Sequence, residues 1–168
     1  MMRWLASVSV ILLAAAAVLM AAWSEPTDQQ AMTGFVRIEV MINPADAAAR
    51  VGSYQAELTL THAAGEVLLA GVSGGEGVFK APPAYDPAAL HSGAGPERVI
   101  IADFAATDDP SPGPVVVAVL DAMLPAGGTS TDLVINARLK AAGNERAEPI
   151  AADLSTRVLI PELAPADR

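Results

Sequence analysis

Cysteine is absent from the 168 residues. That excludes disulfide staples, thiolate catalysis, Cys-ligated zinc or iron–sulfur centres and a lipid-modified N-terminal Cys. Aromatic residues are scarce, at 4%, which leaves few rings for stacking on a sugar. Basic residues are outnumbered, 10 Lys and Arg against 19 Asp and Glu, for a net charge of −9 and a pI near 4.5. Such a balance argues against a nucleic-acid partner, because nothing here neutralises a row of phosphates. The only histidines are His62 and His91, and neither has a second histidine at ligand spacing. A catalytic zinc usually takes three protein ligands, so no metal site and no cofactor are expected.

What the chain does have begins with a hydrophobic start. After Met1-Met2-Arg3-Trp4 comes an apolar stretch from Leu5 to Trp23, broken only by Ser7 and Ser9. A short basic region before an apolar core is the pattern of a secretory signal, and Ala22-Trp23-Ser24 supplies small residues for cleavage before Glu25. The competing reading is an uncleaved anchor, since a helix of about 20 residues crosses a bilayer. Four consecutive alanines, Ala14 to Ala17, favour cleavage. Either way the remainder is expected to be exported, to a periplasmic or extracellular location, touching a membrane only through residues 5–23. Both tryptophans, Trp4 and Trp23, belong to this segment.

Beyond it the hydrophobic pattern has period two. Val36, Ile38, Val40 and Ile42 alternate with Arg37 and Glu39, and Phe35 and Met41 sit at the ends. This is a strand with one buried face, closed by Asn43-Pro44 because proline cannot donate to a ladder. Tyr54, Ala56, Leu58 and Leu60 repeat the rule against Gln55, Glu57 and Thr59. Further runs span 66–72, 98–104, 114–120, 131–139 and 154–160, making seven predicted strands. Phe35, Tyr54 and Phe104 fall within strands and are expected to serve the core. Helical signals are confined to single turns at 45–50 and 87–91. Strands without intervening helices need antiparallel pairing and close as two packed sheets, so the predicted fold is an all-β, two-sheet antiparallel β-sandwich of about seven to nine strands behind an N-terminal hydrophobic helix. The expected organisation is a signal or anchor at 1–24, a linker at 25–33, the sandwich at 34–161 and a flexible tail at 162–168.

The irregular stretch from Ser73 to Glu97 carries five glycines and four prolines and has no clean period. Structureless connections of that length are uncommon and often functional. Phe79, Tyr85 and Leu90 within it suggest packing on itself or on the sandwich. Gly71-Val72-Ser73-Gly74-Gly75 matches the spacing of a hydrolase nucleophile elbow, in which a strand-to-helix turn exposes the serine. The residues that follow, through Pro82-Pro83, cannot start a helix of any length. Glycine supplying an unusual turn is the simpler reading. Asp103, Asp108, Asp109 and Asp121 lie near strand ends, but no Asp-x-Asp-x-Asp-Gly loop accompanies them, and acidic turns are usually just solvated.

The stretches 51–58, 67–72, 98–104 and 115–120, in that order, resemble the cohesin-like branch of the carbohydrate-binding-type β-sandwiches. Their shared features are a strand carrying an aromatic and then alternating aliphatics, a Val-rich strand and a Gly-containing loop. The resemblance spans about residues 35 to 160. It implies a nine-stranded, jelly-roll-like sandwich with a face that receives another protein module, often a calcium-binding dockerin. The expected function is a non-enzymatic, exported interaction module whose strand edges or long loop meet the partner, with Glu76, Phe79 and Tyr85 as the first residues to test. A carbohydrate-binding module for a polysaccharide is the alternative, and a small serine hydrolase at Ser73 a second one.

Overall fold

The computed structural model describes residues 34–86, 97–105, 110 and 112–159. The N-terminal hydrophobic segment, the linker, the turn at 87–91 and the tail lie outside the described residues. Among the described residues eight strands form: β1 (Gly34–Pro44), β2 (Ser53–His62), β3 (Leu68–Gly74), β4 (Ala84–Tyr85), β5 (Glu97–Phe104), β6 (Val115–Leu124), β7 (Leu133–Gly143) and β8 (Ala152–Leu159). They make two four-stranded antiparallel sheets, sheet I in the order β3-β6-β1-β8 and sheet II in the order β4-β5-β2-β7. The two pack face to face as the predicted β-sandwich. Among the described strands the chain changes sheet at every connection except β4 to β5, so nearly every loop also ties one sheet to the other.

The period-two pattern explains the core directly. Val36, Ile38, Val40 and Ile42 of β1 meet Tyr54, Ala56, Leu58 and Leu60 of β2, and none of the eight is more than 4% exposed. Removing each of the Val, Ile and Leu side chains among them from water contributes roughly 1.5–3 kcal/mol. Strand β6 lies between β3 and β1, and its first four residues, Val115 to Ala118, are all buried. Apolar character on both faces of an interior strand is the pattern that double cover demands.

The strand bounds depart from the sequence expectation most at β6 and β7, and β4 is an additional strand. β6 continues to Leu124, because Asp121 does not end it but stays in the ladder opposite Arg37 while Leu120, Ala122 and Leu124 keep facing the core. β7 begins at Leu133, since Ser130–Asp132 form a 3-10 turn in which the Thr129 hydroxyl donates to the Asp132 carboxylate at 2.7 Å. It then runs on to Gly143. β4 is a two-residue strand, too short to carry a period.

One ladder defect has structural consequences. Val40 pairs with Ala118 but Met41 pairs with Val116, which leaves Val117 as the extra residue of a β-bulge. A bulged residue loses its ladder partner, and a buried carbonyl without a partner is costly. The Tyr54 hydroxyl supplies one, donating to the Val117 carbonyl at 3.1 Å. Burial, reinforced by the nearby Asp103 carboxylate, pushes the Tyr54 phenol well above its ordinary range, so it acts as a fixed neutral donor.

Candidate functional site

The β3–β4 crossover carries the residues singled out from the sequence. It leaves the edge of sheet I, turns through a 3-10 helix at Gly77–Phe79 and joins the edge of sheet II at β4. Its entry needs glycine for closeness. A Cβ on Gly74 would stand 2.1 Å from the Lys80 carbonyl oxygen, and one on Gly75 would stand 2.0 Å from the Val116 carbonyl oxygen. Backbone contacts then fix the turn: the Gly75 amide donates to Phe79, the Glu76 amide to Val116, each at 2.8 Å, and the Phe79 amide to Glu76 at 3.0 Å.

Of the three expected contact residues, the crossover brings Glu76 and Phe79 into one turn and gives them opposite environments. Phe79 is fully buried and meets Tyr54 edge-to-face with ring centroids 5.3 Å apart. Its ring is a plug in the sandwich and presents no surface to a partner. Glu76 is exposed. Tyr85 sits opposite Ile101 in the β4–β5 ladder, half-buried against the core. Two of the three expected anchors therefore hold the crossover down.

Ser73 is followed by a 3-10 turn of three residues, not by a helix. Its hydroxyl donates to the Val119 carbonyl at 3.3 Å. His62 is occupied at both nitrogens, Nε2 donating to the Thr129 carbonyl at 2.9 Å and Nδ1 accepting from the Ala64 amide at 3.0 Å. Asp121 accepts from Arg37 Nε at 2.9 Å, and Asp103 accepts from the Phe104 amide at 2.7 Å. Among the described residues no three His, Asp or Glu side chains converge as a metal site would require. His91, Asp108 and Asp109 lie outside the described residues.

Four strands are sheet edges, and their chemistry differs. β7 carries Arg138 and Lys140, β8 carries Asp153 and Arg157, and β4 is only two residues long. β3, Leu-Leu-Ala-Gly-Val-Ser-Gly, has no charge and no proline. Natural sheets guard free edges with charge, proline, brevity or bulges. β3 has only a bulge at Ala70, where its register to β6 slips.

The aromatic expectation needs correcting. Phe35 and Phe104 are not core residues: they are 47% and 53% exposed. Strand parity places both on outer faces, Phe35 in register with Met123 on sheet I and Phe104 with Ser53 on sheet II.

The outer face of sheet II also holds a charge arrangement that sequence reasoning missed. Glu57 lies at its centre on β2. Arg98 Nε donates to it at 2.6 Å from one neighbouring strand, and Lys140 Nζ approaches it at 2.5 Å from the other. These two bonds, Arg98's first, hold the Glu57 carboxyl down to about 2. Lys140 reaches it because β7 is bulged there: Gln55 pairs with Ala141 and Ala56 with Leu139, leaving Lys140 as the extra residue. Arg138, directly opposite Glu57, is exposed. The period-two pattern marks Glu57 and Arg98 as outward-facing, but the strand pairing that joins them has no signal in the sequence.

Comparison with protein-family models, with curated proteins and with solved structures finds no match to this chain.

Proposed function

We propose that this chain is an exported, non-enzymatic interaction module that receives an extended segment of another protein along the free edge of β3. The observation that carries the reading is the contrast among the four edges: β3 alone combines seven residues of length with the absence of charge and proline. An open edge offers backbone donors and acceptors to an incoming strand, and alternate side chains give such pairing its specificity. The resemblance to cohesin-like modules supports a partner-binding role, and a dockerin-like module is one candidate partner. Export rests on the basic, then apolar, start of the chain. The non-enzymatic reading draws support from Ser73, whose hydroxyl is turned to a backbone carbonyl and whose following turn is not helical.

Gly71→Lys tests the edge. A Cβ at Gly71 meets nothing within 4 Å, so the substitution places a charge on β3 without disturbing the sandwich. Proteins recovered from envelope extracts by the wild-type domain should be lost with Gly71→Lys and retained with Glu76→Ala, and amides of residues 68–74 should gain exchange protection when the partner is added. Equal recovery by Gly71→Lys, or protection elsewhere, overturns the edge assignment.

A further inference from the structure

We infer that the outer face of sheet II is a second binding surface, one that takes an acidic polysaccharide. The described charges on that face are Arg98, Arg138, Lys140 and Glu57, a net of +2 on a chain whose total is −9. Even with Asp86, which follows β4 at the sheet's edge, cations outnumber carboxylates three to two. Everything away from the face therefore sums to about −11. That acidity does not cancel the local field. Sheet I stands about 10 Å behind sheet II, and salt screens exposed charges beyond about 8 Å at physiological strength.

The face also supplies what charge alone lacks. Glu57 engages Arg98 and Lys140, fixing their positions, while Arg138 has no bond to any described residue. Gln55, Thr59 and Asn136 occupy outward positions in the same ladders, offering amides and a hydroxyl of the kind that meet sugar hydroxyls. The exposed Phe104 ring stands four residues along β2's ladder from the Glu57 row, about 13 Å away at about 3.3 Å per residue. A ring at one end and cations at the other suit a chain of sugars bearing widely spaced carboxylates. The scarcity of aromatics, which speaks against a binder of neutral glycans, does not weigh against one that uses cations.

Other polyanions and a second copy of the chain fit less well. Double-stranded DNA carries one charge per about 1.7 Å, far denser than three cations can match on an otherwise acidic protein. The outer face of sheet I is a poor complement, because its Arg37–Asp121 and Arg157–Glu39 pairs leave only the single carboxylate of Asp153 over.

Oligogalacturonate, with its fully methyl-esterified form as the uncharged control, is the probe. By calorimetry at physiological salt, the full chain should bind oligogalacturonate and not the ester, with affinity falling as salt is raised further. Arg138→Gln removes a cation that holds no ion pair with any described residue. It should weaken binding about tenfold, the worth of about one charge-assisted hydrogen bond, with an unchanged circular dichroism spectrum. Phe104→Ala should weaken it several-fold, the triple variant Arg98→Gln/Arg138→Gln/Lys140→Gln should abolish it, and Arg157→Gln on sheet I should leave it intact. No binding by the wild type, equal binding by Arg138→Gln, or a preference for single-stranded DNA overturns the inference. So does sedimentation showing that the triple variant loses self-association rather than glycan binding. Gly71→Lys should bind oligogalacturonate normally, which keeps this surface separate from the β3 edge.

Discussion

On one side of the sandwich the chain passes from β3 to β4, and on the other it passes from β7 to β8. Both crossovers join an edge of one sheet to an edge of the other, yet they are held by opposite chemistry. The β3–β4 crossover is pinned by an apolar plug, Phe79 against Tyr54, and by glycines that let backbone lie on backbone. The β7–β8 crossover is pinned by a polar side chain. Asn144 Oδ1 accepts from the Arg146 and Glu148 amides, each at 2.9 Å, and its Nδ2 donates to the Glu148 carboxylate at 2.8 Å. Backbone bonds from Ile150 to Ala142 and from Ala45 to Ala151 then join that loop to both sheets. A buried plug resists loss through the cavity it would leave. A polar hub half open to water loses only bonds that water partly replaces.

Phe79→Ala should have the largest effect. The ring is fully enclosed, so truncation should cost about 3–5 kcal/mol by urea unfolding. The Tyr54 hydroxyl should remain tied to Val117, and the loss should appear as a lower denaturation midpoint with an unchanged dependence on urea. A loss below about 1 kcal/mol would mean that the crossover lies on the sandwich without plugging it.

On the polar side, Asn144→Ala should cost about 1–2 kcal/mol. It removes side-chain bonds to two amides that remain close to water. Amide exchange of residues 146–150 should quicken while β3 is unaffected. An effect as large as that of Phe79→Ala would erase the distinction between the two sides.

How much of this was legible depended on whether a residue acts through its own strand or through a neighbour. The faces of β1 and β2 follow from alternation alone, as does the outward face of β7 at Asn136 and Arg138, because periodicity is a property of one segment. The bulges at Val117 and Lys140 are properties of two paired strands, and no single segment encodes them. The Tyr54–Val117 bond and the Lys140–Glu57 contact were therefore invisible. Phe104 misled for a related reason: an aromatic ring in a strand suggests burial, but its parity in the β5–β2 ladder puts it outside. The sequence pattern ends this strand at Leu120, although a half-buried acid opposite Arg37 continues a ladder as well as a threonine would. In the long irregular stretch the packing role of Phe79 was legible, and its consequence, that the ring is unavailable to a partner, was not.

Acid should separate the two sides by the smallest effect and in a defined direction. Glu57 bonds Lys140 on β7, the strand that leads into the polar crossover, and its carboxyl is held down to about 2 from an ordinary 4.5. A carboxyl whose folded value is depressed stabilises the fold above its unfolded value, and that contribution is lost as pH falls through the window between them. Between about pH 5 and about pH 2 the melting temperature should therefore fall on this account, and amide exchange of residues 133–143 should quicken before that of residues 68–74. Glu57→Gln should lower the melting temperature at neutral pH and flatten this part of the acid profile. With one exposed carboxylate involved, the shift should be smaller than that of Asn144→Ala. If residues 68–74 instead opened first in acid, the charged hub on sheet II would not be what holds β7 in place.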